Sequence, residues 1–205
     1  HVGGTLIAAG ISAHAKGMAP VATVYTYNWA GDITEMTEVA AATSNAVDKI
    51  YLSNHSYGFI SGWNFVNGGS PYRVWDWWGD GTITSSIEQD FGRYTTYTRD
   101  LDQRAYDAPY YRVFWSSGND RNNNPSNGQT ISLTPGGSTV VSYNASTHPG
   151  GDGTYRDGFE NISFHGLAKN IVTVGAVNDA VSSGTRNPAN ATMSTFSSWG
   201  PTDDG

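Results

Sequence analysis

A run of apolar and aromatic residues, Tyr110-Tyr111-Arg112-Val113-Phe114-Trp115, stops abruptly in Ser116-Ser117-Gly118-Asn119-Asp120. The run reads as a buried strand. Ligands of an open parallel sheet bind just beyond the carboxyl ends of its strands. A carboxamide carried there can donate hydrogen bonds to a substrate, and its NH2 group keeps its protons at any working pH. Asn119 is thus a candidate donor, but Gly-Asn is also a common turn pair, and residue type alone leaves both roles open. A second strand, Tyr51-Leu52-Ser53-Asn54, breaks at Ser56-Tyr57-Gly58. Unpaired backbone groups there would take up an extended peptide by strand addition, or the segment simply ends the strand.

The surrounding elements must bring these two breaks together. Residues 1–9 read as a helix rich in small residues. Glycine costs up to about 1 kcal/mol inside a helix, so Gly3-Gly4 imply a close neighbour. Gly17-Met18-Ala19-Pro20 is a turn, and residues 21–27 read as a short buried strand. A helical stripe runs through Ile33, Met36, Val39, Ala40, Val47 and Ile50. Ser85 and Glu88 form a capping-box pattern that opens a long helix. Its apolar face is Ile87, Phe91, Tyr94, Tyr97, Leu101 and Ala105, and Pro109 stops it. Residues 129–134 and 138–143 read as antiparallel strands around a Pro-Gly-Gly turn, and residues 170–177 as a fully apolar core strand. Helix alternating with strand argues for a parallel sheet. Right-handed crossovers then set Ser56 and Ser116 on the same carboxyl edge, as two sides of a cleft.

Bulk properties narrow the class. The 205 residues suffice for one domain with a sizeable core. Only 14% are charged, and there is no cysteine, a composition that suits an extracellular or cell-surface protein. A net charge of −7 argues against nucleic-acid binding. No apolar run approaches the roughly 20 residues of a membrane span. A chain that starts at His1 without Met, and without a signal-peptide pattern, reads as an excised piece.

Four separated segments resemble the subtilisin-like (peptidase S8) serine proteases, in that family's order. His1-Val2-Gly3-Gly4-Thr5 resembles the back half of a His-Gly-Thr-His-Val-(Ala/Gly)-Gly-Thr signature, and Gly17-Met18-Ala19-Pro20 a Gly-x-Ala-Pro turn. Ser116-Ser117-Gly118-Asn119-Asp120 resembles the oxyanion-hole segment. Asn170 to Val177 and Phe196-Ser197-Ser198-Trp199-Gly200-Pro201 resemble a Val-x-Val-Gly-Ala strand and a Phe-Ser-Ser-x-Gly-Pro turn. The resemblance implies a three-layer α/β fold, a mostly parallel central sheet with helices on both faces, here incomplete at both ends. Residues of about 59–84 would be an aromatic insertion.

It further implies a serine endopeptidase acting through an acyl-enzyme, with Asn119 as the oxyanion donor. Ser56, Tyr57 and Gly58 would bind substrate backbone, and Ser116, Ser117 and Gly118 would form a pocket wall. The histidine that takes the proton lies three residues before the one matched by His1, and the family's Asp and Ser lie outside residues 1–205. The chain thus carries none of the triad, would be inactive alone, and leaves His1 a structural role. Partners would be protein or peptide substrates, and the protein a monomer. No cofactor or metal is implied by a motif. Asp80 and Asp152 sit in Gly-Asp-Gly turns that could join structural calcium loops, but neither shows repeated acidic spacing. Trp75-Asp76-Trp77-Trp78 reads as core or loop packing, or as a stacking platform for sugar or peptide. A non-catalytic glycan- or peptide-binding module and a degenerate protease-like scaffold are the competing readings.

Overall fold

The computed structural model describes residues 1–66, 74–80 and 88–203. The aromatic run before Ser116 forms the middle strand of a parallel sheet. That strand, β4 (Arg112–Ser116), lies between β1 (Leu52–His55) and β7 (Val172–Val174). His55 stands beside Trp115, and Ser116 beside Val174. Because both pairings are parallel, the breaks at Ser56 and Ser116 share the carboxyl edge.

Alternation along β4 turns Val113 and Trp115 to one face, where both are fully buried. They pack with Met36 and Ala40 at α2 (Asp32–Val39) and with Leu101 and Ala108 at α3 (Thr96–Asp107). Burying each such aliphatic side chain contributes about 1.5–3 kcal/mol. Residues Thr98, Leu101, Asp102 and Ala105 of α3 face inward at helical spacing. The buried Asp102 carboxylate accepts from the backbone N–H groups of Lys169 (2.9 Å) and Asn170 (2.6 Å), which ties α3 to the approach to β7.

A second sheet orders its strands β2 (Trp63–Phe65), β3 (Trp75–Trp77), β5 (Thr130–Ser132) and β6 (Val141–Ser142). The antiparallel β5–β6 pair matches the expected hairpin, in shorter form. Trp63, Trp75 and Trp77 join Ile131 and Tyr143 in its core, while Trp78 is exposed. The indole cluster is thus mainly a packing unit. Asp152 fastens this layer, accepting from the Trp63 N–H at 2.9 Å beneath Gly62. Gly62 has φ +63°, and a Cβ there would lie 2.3 Å from that carboxylate.

Several expectations change. The stripe at residues 33–50 yields only the eight-residue α2. It stops at Ala40, which bridges to Ile50, and Asn45 and Asp48 take left-handed turns between them. Thr, Ser and Asn offer the backbone competing local hydrogen bonds, and Val47 is left exposed. The third helix starts at Thr96, where Thr95 and Thr98 cap each other. Ser85 and Ile87 lie outside the described residues, and Phe91 sits in a bridge to Ser163 before the helix begins. β7 is a sheet edge with Val172 and Val174 exposed, not a covered core strand.

Residues 21–27 form no strand, because no described residue lies beside them as a partner. An apolar cavity of about 540 Å³ separates Ala22 and Val24 from Leu52 and Phe114. The first helix, α1 (Val2–Ile7), borders the same cavity through Leu6 and Ile7 and buries no residue. Instead it is held by backbone bonds to residues 17–19. A Cβ on Gly3 or Gly4 would meet nothing within 4 Å, and His1 is exposed, so neither has the close packing expected of it. One face of the parallel sheet is packed by α2 and α3, while the other fronts this cavity. Two residues each form the strands β8 (Val181–Ser182) and β9 (Thr185–Arg186), a hairpin near the end of the chain. Among the described residues no helix is long and apolar enough to cross a membrane.

Candidate active site

The two strand breaks open into one cleft of about 200 Å³. Ser56, Tyr57 and Gly58 leave β1 along one side; Ser116, Ser117, Gly118 and Asn119 leave β4 along the other. All seven residues singled out in the sequence therefore line a single cavity. Asp120, Ser163 and His165 line it too. Asp120 closes the oxyanion-like segment without having been given a role, whereas Ser163 belongs to no motif and His165 to no ligand spacing.

Asn119 is exposed at this cleft, and its carboxamide makes no hydrogen bond to a described residue. The preceding Gly118 has φ +106°, and a Cβ there would come within 2.8 Å of the Asp120 carboxylate and 3.0 Å of Ser198 Oγ. Glycine is required for this turn. Ser117 is buried; its N–H donates to Val174 O at 2.9 Å, continuing the ladder beyond β4. Burial pushes the Asp120 carboxyl up to about 6, against the opposing pull of hydrogen bonds from Ser198 and the N–H groups of Asn119 and Asp120.

Tyr57 is held from beneath. Its hydroxyl donates to Asp32 Oδ2 at 3.0 Å, and Tyr97 donates to Oδ1 of the same carboxylate at 2.5 Å. Having used its proton there, the Tyr57 hydroxyl accepts from His55 Nδ1 at 2.8 Å. The other ring nitrogen, Nε2, then accepts from Ser53 Oγ at 2.8 Å, and Ser53 accepts from the Tyr111 hydroxyl at 2.6 Å. The sequence of donors and acceptors fixes the Nδ1–H tautomer. Trp115 completes the support: Nε1 donates to Tyr57 O at 2.8 Å, and its ring stacks between His55 (4.3 Å) and His165 (4.9 Å).

Burial lowers both imidazoles to about 4, although the Asp32 charge pulls each upward. Both rings are therefore neutral at pH 5–8. Between about 4 and the ordinary 6.5 the unfolded chain binds more protons than the folded one. The stability these rings contribute is thus full above 6.5 and is lost as pH falls toward 4. NMR titration should show the His55 and His165 ring protons moving near pH 4; a midpoint near 6.5 would refute their burial as neutral rings.

The larger cavity beside α1 is lined mainly by apolar side chains, with Ser53, Asn54, Ser56 and Ser116 at its polar part, and it holds no acid, base or imidazole of the kind that lines the smaller one. Among the described residues no three His, Asp or Glu side chains cluster so as to hold a metal ion. Asp152 is buried, which raises its carboxyl well above the ordinary range, and its Oδ atoms cap the Trp63 N–H.

The sequence model of the Subtilase family (peptidase S8) matches residues 1–205, the whole chain. The chain belongs to the subtilase family. No curated protein and no solved structure matches it. Family membership carries serine peptidase activity at the level of the family, and the parallel sheet with its adjoining helices is compatible with a subtilisin-like fold. In this subtilase the turn at Phe196-Ser197-Ser198-Trp199 packs directly under the Ser116–Asp120 loop. The motif was legible in the sequence, but its contact with a loop 78 residues away was not.

Proposed function

We propose that this chain is the central part of the catalytic domain of a secreted serine endopeptidase that cleaves protein or peptide substrates as a monomer. In this reading residues 1–205 are a partial domain with an aromatic insertion at about 59–84, and the complete domain has three layers. Its Asp, His and Ser lie in flanking segments. The serine hydroxyl attacks the scissile carbonyl while the histidine takes its proton, giving an acyl-enzyme that water then hydrolyses. As the tetrahedral intermediate forms, negative charge gathers on the carbonyl oxygen. The Asn119 NH2 group donates to that oxygen and lowers the barrier by stabilising the transition state above the ground state. Backbone groups of Ser56–Gly58 pair with the extended substrate. Ser116, Ser117 and Gly118, being small, leave room for the side chain before the cut.

The observation that carries the reading is the convergence of these seven residues on one cleft, with an unengaged carboxamide at its edge. Burial of Trp75 and Trp77 in a core takes two of the three clustered indoles out of reach of a sugar, which weakens the support for a glycan-binding reading and leaves Trp78 exposed. Activity-based labelling decides between the protease and the degenerate scaffold. The complete protein should react covalently with a serine-directed fluorophosphonate, at a serine in a Gly-Thr-Ser segment following residue 205. Absence of labelling in folded protein would leave the scaffold reading standing.

A further inference from the structure

One buried residue grips the Asn119 loop on both sides, with its backbone on one and its side chain on the other. Ser198 is 3% exposed and sits beneath Gly118. Its N–H donates to Gly118 O at 3.1 Å, pinning the peptide group before Asn119. Its Oγ accepts from the Asp120 N–H at 3.1 Å, pinning the peptide group after Asn119. The Ser198 hydroxyl proton points to Asp120 Oδ2 at 3.4 Å, so the same oxygen both accepts from and donates to residue 120. The Asn119 side chain itself remains exposed, its carboxamide unbonded between the two grips.

The neighbours of Ser198 are anchored as well. Ser197 Oγ lies 3.4 Å from Ser117 Oγ and accepts from the Ala176 N–H at 3.0 Å. The Trp199 N–H donates to the buried Asn161 Oδ1 at 2.6 Å, and the Arg121 guanidinium lies 3.6 Å above the Trp199 ring. Residue 198 is therefore the middle contact of a strap held on either side: Ser197 meets Ser117, Trp199 meets Arg121, and Ser198 takes the two peptide groups that flank Asn119.

A donor stabilises an oxyanion only if it already points at the right place, because reorientation during the reaction would consume the gain. A side chain with no partner of its own depends for its aim on the backbone that bears it. We propose that Ser198 is a positioning residue of this protease: it holds the Asn119 carboxamide on the line of the developing oxyanion, and it does so through the two peptide groups that flank Asn119. This rests on Asn119 being the oxyanion donor.

A double-mutant cycle on the complete protein tests it, with kcat expressed per active site titrated by fluorophosphonate so that misfolded molecules do not count. Ser198→Ala removes the Oγ bonds to residue 120 and keeps the backbone bond to Gly118; it should lower kcat by about 10-fold to 100-fold, the scale on which a displacement of about 1 Å acts, with KM changed less than about twofold. In an Asn119→Ala background the same substitution should change kcat less than about twofold, since the group it positions is already gone. An equal loss in both backgrounds would overturn the positioning role and leave the oxyanion role of Asn119 intact. An unaltered kcat in Ser198→Ala alone would overturn it too. An unaltered kcat in Asn119→Ala alone would overturn the oxyanion reading itself, and with it this dependent one.

Discussion

Asn119→Ala in the complete protein lowers kcat by about 10²–10³ and leaves KM within about twofold. That magnitude is the one known for subtilisin itself, in which one such donor has been removed. The split between the two constants follows from the role proposed for this side chain. An oxyanion exists only as the tetrahedral species forms, so a donor aimed at it is engaged in the transition state and idle in the Michaelis complex. Asn119→Asp separates this role from the turn-forming one. Aspartate follows glycine in a turn as readily as asparagine does, so a purely conformational role would tolerate it. An oxyanion donor would not, because an ionised carboxylate offers no proton and sets a negative charge against the developing one. Steady-state kinetics on the two variants decides: wild-type turnover in Asn119→Asp would mean that the residue only shapes the loop.

Trp115→Ala carries the largest expected cost to folding, about 3–5 kcal/mol, read from denaturant unfolding of the complete protein. The ring is fully buried at the centre of the parallel sheet and touches groups from several elements. Its removal empties a space between two imidazoles that are neutral only because they are dry. It also strips the Tyr57 carbonyl of its donor. Trp115→Phe divides the two contributions. It keeps an aromatic ring in the stack but leaves that carbonyl unpaired, a loss of about 1–3 kcal/mol. Because Tyr57 lines the cleft, the phenylalanine variant should also raise KM. A fully stable Trp115→Ala protein would show that the sheet does not depend on this ring.

The parts of the fold read well from sequence were those in which one local pattern decides. β4 was legible because a run of five aromatic and apolar residues, interrupted only by Arg112, meets Ser-Ser-Gly-Asn without transition. The β5–β6 hairpin was legible from Pro-Gly-Gly, and the carboxyl edge from the alternation of helices and strands. The misjudged parts depend on neighbours. Residues 21–27 have the composition of a strand, but a strand exists only where another backbone lies alongside. Val172 and Val174 have the composition of a core, yet lie on an edge. The start of α3 went wrong because Ser85–Glu88 and Thr95–Thr98 both offer capping chemistry, and the latter pair is the one that caps the helix.

Within the cleft, the residues that could be foreseen were those in contiguous motifs. Asp120 belongs to such a motif, but its charge state is governed by burial that no motif records. His55 and His165 come from distant segments and meet only through Trp115. Their neutrality is a property of packing, which residue type does not encode.

The contact between Ser198 and Asp120 joins positions 78 residues apart, with the later one at the far end of the loop's support. A ribosome adding about 5–20 residues per second needs about 4–16 s to travel that distance. For that interval a nascent chain carries the Ser116–Asp120 loop without the Ser198 contacts that hold its peptide groups in the folded protein. Translation order alone therefore makes this turn one of the later contacts to form at the carboxyl edge of the sheet.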